Sequence, residues 1–71
     1  MNKVIKYVNP PIKCDDCGQP FDNVMYDAKT MYGPWGNFCQ KCFEANCYGL
    51  GTGLGQQYKK NDAGEWIKVA G

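Results

Sequence analysis

Short stretches of alternating apolar and polar residues predict β-strands in this chain, because alternation places one face of a strand against a core. Residues 4–8 alternate in this way, and the two prolines that follow end the predicted strand, since proline cannot donate a ladder hydrogen bond. Residues 56–60 and 65–70 predict a C-terminal hairpin. Its loop, residues 61–64, has the turn-forming sequence Asn-Asp-Ala-Gly.

The middle of the chain predicts a second hairpin and a short helix. Residues 23–27 and 30–32 are the expected arms of the hairpin, and the Gly-Pro-Trp-Gly sequence at 33–36 is typical of a turn. Residues 43–48 predict a short helix, and Gly49 suits its C-terminal end because glycine adopts the left-handed conformation found there.

The strongest chemical signal is a set of two Cys-x-x-Cys pairs, Cys14 with Cys17 and Cys39 with Cys42. Twenty-one residues separate the pairs, which is close to the spacing of two turns that meet on one zinc ion. Zn²⁺ prefers four sulfur donors at about 2.3 Å in a closed tetrahedron. We therefore predict that these four cysteines bind Zn²⁺. Structural zinc contributes on the order of 10–16 kcal/mol to the folding of small fingers.

Other uses of the cysteines are less favoured. Paired disulfides would suit a secreted protein, but residues 1–11 lack the apolar run of a signal peptide and the five cysteines are an odd number. A redox Cys-x-x-Cys belongs to a thioredoxin-like unit, for which the chain is too short. Zinc and a reducing cytoplasm fit better. Cys47 is predicted to be a small buried hydrophobe beside Phe43, with an exchanging metal ligand or an oxidisable thiol as alternatives.

The residues that follow each pair favour a treble clef over a zinc ribbon. Gly18 follows the first pair, where a zinc knuckle needs a residue that tolerates the left-handed conformation, whereas Phe43 follows the second pair and begins the predicted helix. One knuckle plus one helix start describes a treble clef, and two knuckles would describe a ribbon. The predicted fold is a small metal-stabilised α+β, treble-clef-like zinc finger with a knuckle, a β-hairpin, a short helix and flanking strands. Residues 1–71 are expected to form a single zinc-binding domain.

Charge and composition argue against two classes of function. Eight lysines oppose seven acidic residues, and the chain has neither arginine nor histidine. The formal charge of +1 becomes −1 once four thiolates and one Zn²⁺ are counted. Nucleic-acid-binding proteins usually carry a clear basic excess, and histidine is a common general base and a common ligand of catalytic zinc. We therefore expect a protein that is not an enzyme.

Several exposed groups are candidates for binding a partner. Trp35, on the Gly-Pro turn, and Trp66, on the predicted edge hairpin, are expected to be exposed anchors for a protein interface. The glycine-rich segment 49–55 is expected to let the backbone pass close over an aromatic core while Leu50 and Leu54 pack inward. A backbone anion site and a partner-binding backbone are the alternatives for this segment.

One segment resembles a known group of proteins. The sequence Gly-Pro-Trp-Gly-Asn-Phe-Cys-Gln-Lys-Cys-Phe at 33–43, followed by Gly-Leu-Gly-Thr-Gly-Leu-Gly-Gln-Gln-Tyr at 49–58, is similar to small uncharacterised zinc-finger proteins of bacteriophage genomes. The resemblance spans about residues 14–58. It implies a phage product in bacterial cytoplasm and carries over only the four metal cysteines, Cys14, Cys17, Cys39 and Cys42.

These observations predict a non-enzymatic, zinc-stabilised interaction module that binds a host or phage protein, with no membrane association. The alternative is a small DNA- or RNA-binding zinc finger in which Lys59 and Lys60 contact phosphate and Tyr58 stacks on a base. The sequence leaves the oligomeric state open.

Overall fold

The computed structural model describes residues 5–71 and shows a small α+β fold, in agreement with the predicted class. Its elements are β1 (Val24–Lys29), β2 (Trp35–Phe38), α1 (Gln40–Asn46), β3 (Gly55–Lys60) and β4 (Trp66–Ala70). Within the described residues the four strands form one sheet in the order β2-β1-β3-β4, and every neighbouring pair is antiparallel. The helix contacts β1 and β2.

β1 is the best-buried strand because it has a partner on each side and is covered on both faces. Met25 and Ala28, which lie on opposite faces of the strand, are fully buried. On the helix face, the ring of Tyr26 stacks on Phe43 of α1 with 4.0 Å between centroids and 8° between planes. This stacked pair fixes the helix against the centre of the sheet.

The predicted second arm of the first hairpin, residues 30–32, is wrong. These residues form the turn, and the strand that pairs with β1 is β2. Thr30 explains the difference, because its backbone N–H and its hydroxyl both donate to the carbonyl of Pro34, at 3.0 and 2.8 Å. Gly33 completes the turn with a φ of 116°. The chain therefore reverses before Trp35 rather than after it.

The helix begins and ends earlier than predicted. We expected residues 43–48, whereas α1 covers Gln40–Asn46. The helix stops because Cys47 adopts an extended conformation, with φ −115° and ψ 159°, and forms an antiparallel bridge with Thr30 at the end of β1. Pairing with the sheet, rather than a glycine cap at Gly49, therefore ends the helix.

The glycine-rich segment 49–55 allows a close approach at one position. Gly55 lies opposite Ala28 in the sheet, and a Cβ at residue 55 would lie 2.8 Å from the Ala28 Cβ. The backbone of this segment therefore makes the expected close approach, but at Gly55 it approaches the small residue Ala28 of β1 and not an aromatic core. The prediction that Leu50 and Leu54 pack inward is wrong. Both side chains are exposed, because they lie in the bend and turn just before β3.

The C-terminal hairpin predicted from residues 56–60 and 65–70 is confirmed by the pairing of β3 with β4. Its loop is stabilised by Asn61, whose side-chain oxygen accepts two backbone N–H groups at 3.0 and 2.9 Å. Gly64 ends the loop with a φ of 81°. These are the roles that asparagine and glycine usually have in tight turns.

A strand was predicted at residues 4–8, of which Val4 lies outside the described residues. Lys6 forms an isolated antiparallel bridge with Ile67, flanked by backbone hydrogen bonds of 3.0 and 2.9 Å to β4. The described part of this segment therefore forms one bridge and not the predicted strand. It covers the outer edge of β4, which protects that edge from pairing with another chain.

The prediction that Trp66 is exposed is wrong. Its side chain is only 5 % exposed and meets Phe21 edge-on, with 6.1 Å between ring centroids. The ammonium of Lys60 lies 5.3 Å from the centroid of the Trp66 ring. Tyr58 is also buried and contacts Tyr7 at 5.2 Å. Because residues before β1 fold back over β3 and β4, the C-terminal hairpin supplies core and not an open edge.

Candidate metal centre

The structure brings all four predicted metal ligands together. The sulfur atoms of Cys14, Cys17, Cys39 and Cys42 lie within 4.8 Å of one another, and those of Cys17 and Cys39 are 3.8 Å apart. Four sulfurs at about 2.3 Å from a central zinc ion would be about 3.8 Å from each other in a regular tetrahedron. The cluster therefore has the size and donor set that a tetrathiolate metal site requires.

The first pair lies in a knuckle. Cys14 is almost completely buried, and its backbone N–H donates to Gln19 at 2.9 Å while its carbonyl accepts from Gly18 at 3.0 Å. Gly18 has a φ of 75°, the left-handed value that the sequence predicted for this position. The N–H of Asp16 points at the Cys14 sulfur from 3.4 Å. The knuckle thus holds Cys14 in place with backbone groups alone.

The second pair lies at the start of α1, as predicted. Cys39 is the N-cap residue, with φ −69° and ψ 167°, and Cys42 is buried in the first turn. The chain enters the helix directly from β2, so Phe38 is buried in the core and Cys39 faces the knuckle. One knuckle and one helix start therefore supply the two halves of the cluster.

Hydrogen bonds that the sequence did not predict hold the knuckle against β2. The N–H of Asp15 donates to the carbonyl of Asn37 at 2.8 Å, and the N–H of Asn37 donates to the Asp15 carboxylate at 2.8 Å. The pair of acidic residues between the first two cysteines was the only sequence signal for this role. The preference of aspartate for tight turns explained the two residues equally well, so the sequence did not reveal the contact with Asn37.

A further missed residue, Asn46, joins the knuckle to the helix. Its side-chain amide donates to the Asp16 carboxylate at 3.2 Å and to the carbonyl of Cys42 at 3.1 Å. The relative position of the two cysteine pairs is therefore set by polar contacts on both sides of the cluster. In the folded chain these contacts therefore orient the ligands around the position of the metal.

The electrostatics of the cluster distinguish its two buried sulfurs. Burial opposes ionisation of Cys14, but backbone groups of Cys17, Cys39 and Asp16 outweigh it and lower the pKa of this thiol to about 7. Burial raises the pKa of Cys42, as do hydrogen bonds from its own thiol to Asp16 and the neighbouring sulfurs. Four thiolates this close repel one another, so full ionisation of the cluster needs a bound cation.

Cys47 lies outside the cluster. It is buried in the hydrophobic core, and burial raises the pKa of its thiol. Its predicted role as a small buried hydrophobe is confirmed. All five cysteines, which lie within residues 5–71, are free of disulfide bonds.

A second feature of the surface is a group of exposed apolar side chains around the C-terminal end of β1. Lys29 pairs with Trp35 and donates its N–H to Leu54 at 2.8 Å, and Thr30 bridges to Cys47, the residue before Tyr48. Met31 also donates its N–H to the carbonyl of Asn46, and Gly51 bridges to Gly55. The segments that meet at this end of the sheet carry six exposed side chains, here called the apolar end: Met31, Tyr32, Trp35, Tyr48, Leu50 and Leu54. The predicted exposure of Trp35 is confirmed.

The residues predicted to contact nucleic acid do not form a joint surface for stacking and phosphate binding. Tyr58 is 8 % exposed, so its ring is not available for stacking on a base. Lys59 and Lys60 are exposed, and the ammonium of Lys60 lies against the ring of Trp66. The stacking role proposed for Tyr58 is therefore wrong, because the N-terminal segment covers its ring through Tyr7.

Comparisons with protein-family models, with curated proteins and with solved structures found no match to this chain. In the part of the chain that the structure describes, no helix is long and apolar enough to cross a bilayer.

Proposed function

We propose that this chain is a small, non-enzymatic, zinc-stabilised module that binds a protein partner through the apolar end. One combined observation carries the proposal. Four cysteines converge into a closed ligand set, while six large apolar side chains stay exposed around the end of the central strand. The first feature supplies stability that a chain of 71 residues lacks, and the second supplies contact area.

Zinc is the ion that fits the ligands best. The cluster offers four sulfurs and the chain has no histidine, a donor set typical of structural zinc. Iron can occupy similar sites, and its visible absorption would distinguish it. A zinc ion with four thiolates has no open position for water or substrate, which supports a structural and not a catalytic role. A treble-clef-like arrangement is supported by the knuckle at Cys14 and the helix start at Cys39.

The partner would be contacted by side chains and not by an added β-strand. The outer edge of β4 is paired with residues 5–7, and β2 is bonded to Asp15 of the knuckle. Both edges of the sheet are therefore at least partly covered. Tyr and Trp at the apolar end offer large rigid surfaces of the kind that carry much of the binding energy of protein interfaces.

A host or phage protein in bacterial cytoplasm is the proposed setting, and this part of the proposal rests on the sequence resemblance alone. A DNA- or RNA-binding role is less favoured, because Tyr58 is buried and the chain has no arginine. Phosphate-driven binding would weaken with added salt, with a log–log slope of about −0.7 to −0.9 per phosphate contact.

A capture experiment tests the proposal. The tagged zinc-loaded protein is incubated with bacterial lysate, with and without nuclease, beside a Tyr32→Ser/Tyr48→Ser variant. The control variant is Val8→Ser. Val8 is 79 % exposed, which matches the 80 % exposure of Tyr32, but it lies outside the apolar end. We expect a protein retained by the wild type and by the control, insensitive to nuclease, and lost with the double variant.

Two outcomes would contradict the proposal. Loss of the captured material after nuclease treatment, together with steep salt dependence, would favour the nucleic-acid alternative. Equal capture by the wild type and the Tyr32→Ser/Tyr48→Ser variant would show that the apolar end is not the binding surface.

A further inference from the structure

We propose that Cys17 and Cys39 form a paired oxidation site for hydroperoxides, at which the two thiolates become a disulfide and the metal is released. The inference rests on the proposed zinc site and adds a reaction to it. It concerns one cysteine from each Cys-x-x-Cys pair, so the product would link the knuckle to the start of α1.

The cluster is asymmetric in its exposure. Cys17 is exposed and Cys39 is half-buried, whereas Cys14 and Cys42 are buried. An oxidant in solution therefore reaches Cys17 before the other three cysteines of the cluster. The sulfur of Cys39 lies 3.8 Å from that of Cys17, which is van der Waals contact. The two accessible sulfurs of the cluster are thus already neighbours.

The buried sulfurs are less suited to the reaction. The Cys14 sulfur accepts the Asp16 N–H at 3.4 Å, which reduces the electron density available for attack. Cys42 is buried in the first turn of α1. A disulfide within either Cys-x-x-Cys pair would need one of these buried atoms. Oxidation across the two pairs requires only Cys17 and Cys39.

Each disulfide consumes one hydroperoxide molecule. With hydrogen peroxide both leaving groups are hydroxide, as follows; with an alkyl hydroperoxide the first leaving group is the alkoxide. The Cys17 thiolate attacks a peroxide oxygen, the O–O bond breaks and hydroxide leaves, so that Cys17 carries a sulfenic acid. The Cys39 thiolate then attacks that sulfur, the S–O bond breaks and a second hydroxide leaves as the S–S bond forms. Two electrons pass from the two sulfurs to the peroxide. Only Cys14 and Cys42 then remain as ligands, which is too few to retain zinc.

The position of the disulfide makes the change reversible. A bond between Cys17 and Cys39 keeps the knuckle next to the helix start, so Cys14 and Cys42 stay close to each other. Reduction by a small thiol would then restore the complete ligand set. We therefore expect peroxide to release the metal while the four cysteines remain close together.

The test uses the zinc-loaded wild-type protein and limiting hydrogen peroxide. Released zinc is measured with a chromophoric chelator, and disulfides are mapped without reduction. Trypsin separates Cys39 from Cys42 at Lys41, and cleavage before Asp15 or Asp16 separates Cys14 from Cys17. We expect one disulfide per zinc released, located between Cys17 and Cys39, and recovery of zinc binding after treatment with a thiol.

Substitution of a metal ligand could unfold the protein, so two further measurements avoid such variants. In the loaded wild type, iodoacetamide should modify Cys17 before Cys14 and Cys42. A Cys47→Ser protein should give the same disulfide and the same zinc release. Three outcomes would overturn the inference without affecting the proposed zinc site. They are a first disulfide within either Cys-x-x-Cys pair, a disulfide that includes Cys47, and zinc release without any disulfide. A purified chain without zinc before peroxide is added would overturn both proposals.

Discussion

Asp15 and Asn37 form a reciprocal pair that joins the first cysteine knuckle to strand β2. Each residue donates its backbone N–H to the other, to a carbonyl in one direction and to a carboxylate in the other, both at 2.8 Å. A strand edge and a metal-binding turn are thereby held together even though Asp15 and Asn37 lie 22 positions apart in the sequence. The pair explains how Cys39, two residues after Asn37, comes to face the knuckle.

This relationship predicts the effect of removing the Asp15 carboxylate. Asp15→Ala leaves the Asn37 N–H without its partner, and we expect a loss of about 1–2 kcal/mol in the free energy of unfolding. Asp15→Asn keeps an acceptor and should lose less. Denaturant unfolding of the zinc-loaded proteins measures both. Asp22→Ala, which removes an exposed acidic residue outside the knuckle, is the control, and equal losses in Asp15→Ala and Asp22→Ala would contradict the assigned contact.

The two buried cysteines Cys14 and Cys47 should respond differently to the same substitution. They are 2 % and 7 % exposed, so burial is nearly matched, but only Cys14 belongs to the sulfur cluster. We expect Cys14→Ser to lose stoichiometric zinc and to unfold. Cys47→Ser should keep one zinc per chain and lose about 1–3 kcal/mol of stability, the cost of a buried hydroxyl.

Metal analysis by atomic emission and unfolding followed by circular dichroism distinguish these variants. Loss of zinc from Cys47→Ser would place Cys47 among the ligands. Full zinc binding by the Cys14→Ser protein would show that Cys14 is not a ligand.

Asp27 predicts a pH effect on stability. Burial raises the pKa of its carboxyl above 3.8. A carboxyl with a raised pKa in the folded state stabilises the fold fully below its unfolded pKa, and that contribution is lost as the pH rises through the folded value. At pH 7 the charged Asp27 therefore opposes folding. We expect Asp27→Asn to stabilise the protein at pH 7, by less than about 1 kcal/mol because the site is only half-buried.

The gain should shrink as the pH falls, because wild-type Asp27 then takes up the proton itself. The new amide would also lie across the sheet from Asn37, whose buried side-chain oxygen has no partner. Thermal unfolding of the zinc-loaded proteins from pH 7 down towards the ordinary carboxyl pKa of about 4 measures the difference, with Asp22→Asn as a control of equal charge change. A gain that is independent of pH, or equal in the control, would contradict the burial of the Asp27 charge.

Those parts of the molecule that depend on local chemistry could be predicted from the sequence. The spacing of the cysteines and the glycine after Cys17 predicted the knuckle, and the spacing also identified the four cysteines that cluster in the structure. The Asn-Asp-Ala-Gly turn predicted the C-terminal hairpin, because Asn61 and Gly64 stabilise the turn without help from distant residues.

Other parts depend on which segments meet in space, and the sequence did not predict these. Residues 30–32 have the composition of a strand, but the Thr30 hydroxyl bonds to Pro34 and makes them a turn. Trp66 was expected at an exposed edge, but the residues before β1 cover it through Phe21. The helix ends early because Cys47 pairs with Thr30. In each case a tertiary contact outweighed a local preference.

The central claim is that a metal ion bound by the four clustered cysteines holds the fold together. Native mass spectrometry of the freshly purified protein, before and after treatment with a strong chelator, tests it most directly. The account predicts a compact species with one zinc and no disulfide, which becomes an unfolded, highly charged species when the zinc is removed. A species that is equally compact without any metal, or a covalent bond from Cys14 to another sulfur in the fresh protein, would contradict it.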